Sequence, residues 1–183
     1  IYTYSAGSWT QLGADIDGEA ADDNSGYVSL SSDGTTVAIG APFNDGNGND
    51  AGHVRIYEYS SSNSIFGMSS GSWTQLGADI DGEAAGDQSG SSVSLSSDGT
   101  TVAIGAYLNV GTGTSAGHVR IYKCLNAAWT NAWTQLGADI DGEDADDNSA
   151  CSVSLSSDGT TVAIGAYEND GTDTDAGHVR VYK

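Results

Sequence analysis

Carboxylates recur at a fixed spacing in this sequence, and they are the first residues that could do chemistry. Three copies of Ala-Asp-Ile-Asp-Gly-Glu supply Asp15, Asp17 and Glu19; Asp79, Asp81 and Glu83; and Asp139, Asp141 and Glu143. Hard cations such as Ca²⁺ prefer oxygen ligands of this kind. We therefore take these residues as candidate metal ligands for a calcium ion that the fold does not require, with structural hydrogen bonding as the alternative.

Two further loops, residues 44–50 and 169–175, alternate oxygen-bearing side chains with glycine. Such a loop suits a weak calcium site, but Asn, Asp and Gly are also the residues that tolerate the left-handed backbone of turns. The equivalent loop of the second copy, residues 109–115, contains no carboxylate. The sequence therefore favours solvated turns over cation sites in these loops.

One histidine and one arginine recur in the shared segment Ala-Gly-His-Val-Arg. They are His53, His118 and His178, and Arg55, Arg120 and Arg180. Each histidine belongs to a different repeat, with no carboxylate or cysteine at zinc-ligand spacing, so we interpret the imidazoles as structural. We expect each arginine to form a charge-assisted pair with Glu19, Glu83 or Glu143, and so to hold the repeats in register.

Paired carboxylates could serve glycoside hydrolysis, in which one acid protonates the leaving group and the other assists attack. Every acidic pair here is repeated, however, whereas an active site needs one asymmetric set of groups. The sequence also contains no recognisable Ser/His/Asp arrangement or phosphate-binding loop. We therefore predict that the protein is not an enzyme.

The two cysteines, Cys124 and Cys151, occupy non-equivalent repeat positions. Neither has the spacing of a metal site, and neither is placed near a histidine in the way that a catalytic thiol requires. The sequence leaves open whether they form a disulfide or remain thiols.

A tandem repeat must position all of these residues. Its Trp-Thr-Gln-Leu-Gly segment begins at Trp9, Trp73 and Trp133, so the spacings are 73 − 9 = 64 and 133 − 73 = 60 residues. Alternating apolar residues around an Asp-Gly pair predict a tight hairpin in each copy. Residues 36–41 predict a strand that is covered on both faces. The expected fold is all-β, with tandem four-stranded antiparallel blades as in a β-propeller, and a linear stack of β-repeats is the alternative.

The repeat boundaries predict one repeat domain. Residues 1–13 form an orphan strand that completes a blade, residues 14–72 the first blade, residues 73–132 the second, and residues 133–183 a third blade without its last strand. The tryptophans at the repeat starts are expected to be structural. We interpret the chain as a fragment of a longer one, and we expect self-association, head to tail or through the Trp9 strand.

Composition limits the partners. The chain has 25 acidic and 5 basic residues, a surface that repels nucleic acid and anionic membranes but attracts cations and basic partners. No apolar run is long enough for membrane insertion. An extracellular or cell-surface location fits this composition. The serine clusters Ser60–Ser62 and Ser69–Ser72 would then be candidate sites for O-linked glycans.

The segment Asn24-Ser-Gly-Tyr-Val-Ser-Leu30, followed by Gly40-Ala-Pro42, resembles the FG-GAP repeat of integrin-α-type β-propellers. The whole chain is also similar to the tandem Trp-Thr-Gln-Leu-Gly repeats of secreted and surface proteins of aquatic microbes. These resemblances imply adhesive or structural roles without catalysis. The calcium loop of the FG-GAP family is here reduced to one carboxylate per copy, Asp33, Asp98 or Asp158, so calcium is not expected in that loop.

The resulting functional prediction is a non-catalytic extracellular structural protein, assembled through strand pairing into a filament, appendage or surface layer. The alternative is an adhesion or ligand-binding propeller that recognises sugar or protein through its loops. Variation between the copies is concentrated in residues 42–50, 59–72 and 124–132, while the core segments are nearly identical. Near-identical repeats favour the structural role.

Overall fold

The computed structural model describes residues 1–61, 71–124 and 133–183. The variable segments 59–72 and 124–132 lie largely outside these ranges, as do Ser62, Ser69 and Ser70 of the serine clusters considered for glycans. All regular elements in the described ranges are β-strands. None of those residues forms a helix with the length and apolar character needed to cross a lipid bilayer.

The strands form an amino-terminal hairpin and three antiparallel sheets. The hairpin consists of β1 (Tyr2–Ser5) and β2 (Ser8–Gln11). Sheet 1 contains β3 (Tyr27–Leu30), β4 (Thr36–Ala41), β5 (His53–Ser61), β6 (Gly71–Gln75) and the short β7 (Ile80–Asp81). Sheet 2 contains β8 (Ser92–Leu95), β9 (Thr101–Ala106), β10 (His118–Cys124), β11 (Trp133–Gln135) and β12 (Ile140–Asp141). Sheet 3 contains β13 (Ser149–Leu155), β14 (Val162–Ala166) and β15 (His178–Tyr182).

The sheets are meanders whose strands pair in chain order, which is the arrangement of a propeller blade. The predicted all-β fold with tandem four-stranded antiparallel blades is therefore confirmed. The Trp strand is the fourth strand of the preceding sheet: β6 pairs with β5 and β11 with β10. Sheets and sequence repeats are thus offset by one strand. The Trp9 strand, which we expected to be an orphan, pairs with β1.

The first hairpin of each sheet turns through Ser-Ser-Asp-Gly-Thr-Thr. In sheet 2, Asp98 Oδ1 accepts hydrogen bonds from Ser96 Oγ at 2.6 Å and from the Thr100 amide at 3.0 Å. The following Gly99 has φ of 68°, a left-handed conformation that glycine adopts without a Cβ penalty. These contacts close the turn and set the register of β8 against β9.

The core lies between sheets, and each sheet has two unlike faces. The back face of sheet 1 (Ala38, Val54 and Ile56) packs on the front face of sheet 2 (Val93, Leu95, Val102 and Ile104). The back face of sheet 2 (Ala103, Val119 and Ile121) packs in the same way on the front face of sheet 3 (Val153, Leu155, Val162 and Ile164). Because β4 and β9 are buried along their whole length, the prediction of a strand covered on both faces is confirmed.

Neighbouring sheets are also joined by hydrogen bonds. The Leu95 amide of β8 donates to Ser29 Oγ of β3 at 2.9 Å, and the Leu155 amide of β13 donates to Ser94 Oγ of β8 at 2.9 Å. At the Trp strands, Trp133 Nε1 donates to the Leu76 carbonyl at 3.0 Å. Contacts therefore join sheets 1 and 2 at both their first and their fourth strands, and sheets 2 and 3 at their first strands.

Candidate functional site

Three connecting segments carry the repeated acids. The first connecting segment is residues 12–26, the second residues 76–91 and the third residues 136–148, and each leads from a Trp strand to the first strand of the next sheet. The second and third include β7 and β12, which pair with the starts of β5 and β10. This pairing lays each segment along the strand that carries the histidine and arginine.

Two of the histidines at the start of a third strand, His53 and His118, lie beside acids from two successive connecting segments. His53 is 1% exposed, and its Nδ1 lies 3.9 Å from Glu19 Oε2 and 3.9 Å from Asp79 Oδ2. His118 is also 1% exposed, and its Nδ1 lies 3.9 Å from Glu83 Oε2 and 3.9 Å from Asp139 Oδ2. We call these groups cluster A (Glu19, His53, Asp79) and cluster B (Glu83, His118, Asp139).

The clusters differ from our sequence-based expectation in one respect, the carboxylates beside the histidines, while the interpretation of the imidazoles as structural stays a prediction. No carboxylate was expected at metal-ligand spacing, yet two lie beside each of these imidazoles. The sequence hides them because they are distant in the chain, 53 − 19 = 34 residues before His53 and 79 − 53 = 26 residues after it. Pairing of connecting segments with β5 and β10 brings them together.

The structure also separates acids that the sequence placed in one group. Within one copy, Asp79 faces His53, whereas Glu83 faces His118. The middle aspartates, Asp17, Asp81 and Asp141, accept hydrogen bonds through their backbone carbonyls. The side chains of one Ala-Asp-Ile-Asp-Gly-Glu copy therefore do not meet at one point, which a calcium site within that copy would require.

The arginines lie two residues after the histidines and face the same connecting segments. Arg120 is 5% exposed; its NH2 donates to the Asp81 carbonyl at 2.6 Å, and its NH1 lies 3.7 Å from Glu83 Oε1. Its guanidinium also lies 5.6 Å from the centroid of the Tyr122 ring. Arg55 and Arg180 repeat these contacts with Glu19 and Glu143. The structure thus places each arginine beside the glutamate that we paired with it.

The third histidine has a different environment. His178 Nδ1 lies 3.7 Å from Glu143 Oε2, and its side chain is 25% exposed. Among the described residues, this histidine belongs to no group of three metal-ligating side chains. Within the described ranges, only clusters A and B therefore combine a buried imidazole with two carboxylates.

Burial controls the protonation of the histidine in cluster B. Burial, and after it the charge of Arg120, lowers the pKa of His118 against the opposing effect of the nearby carboxylates. Its Nε2 is buried without a hydrogen-bond partner among the residues that the structure describes. The neutral imidazole is therefore favoured, and the two carboxylates are not neutralised by an imidazolium.

The sequence analysis missed a second set of buried carboxylates. Asp87 is 1% exposed, and its Oδ2 accepts hydrogen bonds from the Ala84 amide at 3.0 Å and from Asn109 Nδ2 at 3.1 Å. Asp23 with Asn44 and Asp147 with Asn169 make the same contact. An aspartate four residues after each repeated glutamate was the available signal. These pairs attach the loop after each second strand to the connecting segment before it.

The glycine-rich loops use their own polar groups internally. Asn44 Oδ1 accepts a hydrogen bond from the Gly46 amide at 2.9 Å, and Asp45 Oδ1 accepts one from the Asp50 amide at 2.9 Å. In the last copy, Asp170 Oδ1 accepts one from the Asp175 amide at 2.7 Å. These oxygens close turns in the manner typical of Asx motifs.

The cysteines occupy different sheets, Cys124 at the end of β10 and Cys151 in β13, and no disulfide joins them. Cys151 Sγ donates a hydrogen bond to the Gly165 carbonyl at 3.3 Å.

The aspartates of the hairpin turns make stability depend on pH. The hydrogen bond from Ser156 Oγ, followed by those from Thr160, lowers the pKa of Asp158 to about 2, and similar contacts lower the pKa values of Asp33 and Asp98. A carboxyl whose pKa is lowered by folding stabilises the protein above its unfolded pKa and loses that contribution as the pH falls. We therefore expect the urea midpoint to decrease between about pH 4, the unfolded value, and pH 2.

A variant with Asn at Asp33, Asp98 and Asp158 tests this expectation. It should have a lower urea midpoint than the wild type at pH 6 but a smaller further decrease between pH 4 and pH 2. An equal decrease in both proteins would contradict this role of the turn aspartates. Direct titration of Asp158 by carboxyl NMR should give a pKa of about 2.

Comparisons with known proteins identify no family for this chain. No protein-family model and no curated protein matches the chain. Among solved structures, the periplasmic gluconolactonase PpgL of Pseudomonas aeruginosa is similar, with a TM-score of 0.48 and 19% sequence identity. The likeness covers 100% of this chain and 45% of that one, so this chain spans less than half of its length. It says nothing about activity, and the FG-GAP resemblance stays a prediction.

Proposed function

We propose that the protein is a non-catalytic structural repeat protein of the cell surface or extracellular space, which assembles head to tail through the two end faces of its sheet array. The observation that carries this proposal is that apolar residues are exposed on two sheet faces. These two faces are equivalent to the pair of faces that pack against each other between neighbouring sheets. One is the front face of sheet 1, and the other is the back face of sheet 3.

On the front face of sheet 1, strand β3 is open to solvent, whereas Val37 and Ile39 of β4 are 1% and 7% exposed. Val28 is 62% exposed and Leu30 is 46% exposed, whereas the equivalent Leu95 of sheet 2 is 7% exposed beneath sheet 1. Val28 and Leu30 line an apolar groove of about 390 Å³ together with Ile16, Val37 and Ile39. Burial of such side chains contributes about 25 cal/mol for each Å² removed from water.

The back face of sheet 3 is equally open. Val179 is 68% exposed and Val181 is 66% exposed. The equivalent residues of sheet 1, Val54 and Ile56, are 0% and 1% exposed because sheet 2 covers them. The front face of sheet 1 in a second copy should therefore fit the back face of sheet 3. The internal interfaces join a front face and a back face with the same residue types.

Such a contact is heterologous, since it joins two different faces of the molecule. Heterologous contacts give a ring when the rotation between copies closes and a filament when it does not. Both outcomes fit a structural role. The net charge of −20 opposes association at low salt, so assembly should strengthen as salt screens the charge.

The proposal includes the statement that the protein has no catalytic activity. Among the described residues, the only groups of three metal-ligating side chains are clusters A and B, which are copies of each other, and an arginine faces one glutamate oxygen in each. Ligand binding through loops remains the alternative function. It is less well supported, because Asn44, Asp45 and Asp170 are engaged in contacts within the protein.

The test is the size of the purified protein as a function of its concentration, measured by analytical ultracentrifugation and negative-stain microscopy at about 0.15 M salt. We expect oligomers or filaments at high micromolar concentration. Replacing Val179 and Val181 together by Asp should leave the fold intact and shift the protein to monomer, because two charges on the contact face cannot be buried unpaired.

Val110→Asp is the matched control. Val110 is 61% exposed but lies in a loop outside both end faces, so this variant should assemble like the wild type. A wild-type protein that stays monomeric at every concentration and salt would overturn the proposal. Equal loss of assembly in the control would show that added charge, not the sheet 3 face, is responsible.

A further inference from the structure

Clusters A and B have the composition and the orientation of metal-ion sites. We propose that each binds one first-row divalent transition-metal ion, with Zn²⁺ as the representative, through His Nδ1 and one oxygen of each carboxylate. The bound ion would join two successive connecting segments across the strand that carries the histidine. This proposal does not depend on head-to-tail assembly.

The distances leave room for an ion. The ligand atoms of each cluster lie within 4.8 Å of one another, and each imidazole nitrogen is 3.9 Å from both carboxylate oxygens. This is too long for a hydrogen bond. Ligands of a tetrahedral zinc ion at about 2.1 Å lie roughly 3.4 Å apart, so each nitrogen-to-oxygen distance would have to shorten by about half an ångström.

A buried imidazole is directed between the carboxylates in each cluster. His53 and His118 are both 1% exposed, and neither carboxylate comes within hydrogen-bond distance of their Nδ1 atoms. Because the imidazole rings are buried, few water molecules can reach them, and a direct partner for Nδ1 is favourable. A metal ion would satisfy it, since neutral imidazole is a good zinc ligand.

The carboxylates are already oriented by neighbouring groups. In cluster A, Glu19 directs Oε1 towards Arg55 NH1 at 3.4 Å and leaves Oε2 towards the histidine. Asp79 Oδ1 accepts a hydrogen bond from Gln75 Nε2 at 2.6 Å and leaves Oδ2 towards the histidine. Cluster B repeats this pattern with Arg120 and Gln135. Outer contacts that fix one oxygen and free the other are typical of metal centres.

The ligand set selects the class of metal. Calcium requires six to eight oxygen ligands, and each cluster offers one nitrogen and two carboxylates. Imidazole with carboxylate suits first-row transition ions better. The glutamate and aspartate side chains are 44% and 31% exposed in cluster A and 45% and 30% exposed in cluster B, so water can reach the remaining coordination positions.

The proposal fixes a stoichiometry, which calorimetric titration of the whole chain with Zn²⁺ in excess Mg²⁺ measures. We expect two ions per chain. Asp79→Asn should remove cluster A and Glu83→Gln should remove cluster B, so each variant should bind one ion. Both substitutions replace a partly exposed carboxylate by a nearly isosteric amide, so the variants should fold. Circular dichroism checks that they do.

Asp15→Asn is the matched control. Asp15 occupies the same repeat position as Asp79 and accepts the same hydrogen bond, from Gln11 Nε2 at 2.9 Å, but it belongs to neither cluster. This variant should still bind two ions. Replacing both cysteines by serine should also leave two, since the proposed ligands include no thiolate.

Three outcomes would overturn the proposal. One is the absence of saturable Zn²⁺ binding at micromolar concentration. A second is equal loss in Asp15→Asn and Asp79→Asn, which would assign binding to the acidic surface as a whole. The third is loss of both ions in the cysteine-free variant, which would assign them to the thiols. Self-association does not enter these readouts, because the ratio is counted per chain.

Discussion

Gly40→Ala is expected to lower the free energy of unfolding by about 3 kcal/mol, the upper end of what an added methyl group does in a packed core. A Cβ at Gly40 would lie 2.0 Å from the backbone carbonyl oxygen of Gly90. Gly40 is in β4, and Gly90 belongs to the second connecting segment where it enters sheet 2. Since both partners are backbone, the clash is relieved only by moving one sheet away from the other.

Gly165→Ala is the control, because it makes the same substitution at the same repeat position in sheet 3. There the nearest atom to a Cβ is Ser152 Oγ at 2.5 Å, a hydroxyl that can rotate away. We expect a loss below about 1 kcal/mol. Urea unfolding monitored by tryptophan fluorescence measures both variants. Similar losses would mean that the contact between sheets 1 and 2 is looser than the structure indicates.

Arg120→Met is expected to lower the free energy of unfolding by about 2 to 3 kcal/mol, less than a fully buried ion pair would lose, because Glu83 is partly exposed. Methionine replaces the aliphatic stem of the arginine but none of its donors. The Asp81 carbonyl would lose its 2.6 Å hydrogen bond, and the Tyr122 ring would lose the guanidinium at 5.6 Å from its centroid. Glu83 would lose its cationic neighbour.

Arg180→Met removes the same contacts in sheet 3, with the Asp141 carbonyl at 2.6 Å and Glu143 at 3.7 Å. The Arg180 side chain is 19% exposed, compared with 6% for Arg120, so water can replace more of what is lost. We expect a decrease of about 1 kcal/mol, as for an ordinary hydrogen bond. Equal decreases in the two variants, measured by urea unfolding, would show that burial does not set the strength of this contact.

The strands could be predicted from the sequence because their signals are local. Alternation in Val-Ser-Leu and the Asp-Gly pair of each hairpin depend on neighbours in the chain, and the structure has a hairpin at each of these places. The pairing of Arg120 with Glu83 could be predicted because few other basic residues compete for the acids. Repetition supported both, since each pattern occurs three times.

The candidate site could not be predicted in the same way, because it depends on how connecting segments lie against strands. The two-residue strand Ile80–Asp81 is too short to give a periodic signal, yet its pairing with β5 places Asp79 beside His53. Sequence proximity suggested that Asp79 and Glu83 act together. The extended segment between them instead directs the two side chains to different histidines.

The two unlike faces of each sheet have a consequence for how such a chain can change in evolution. A front face meets the same kind of back face at both internal interfaces. Duplication or deletion of one whole unit of 60 or 64 residues would therefore recreate an existing interface and require no new compensating substitutions. Chain length becomes a trait that unequal recombination can alter in single steps, and the near-identity of the repeats is the condition that keeps each step neutral to folding.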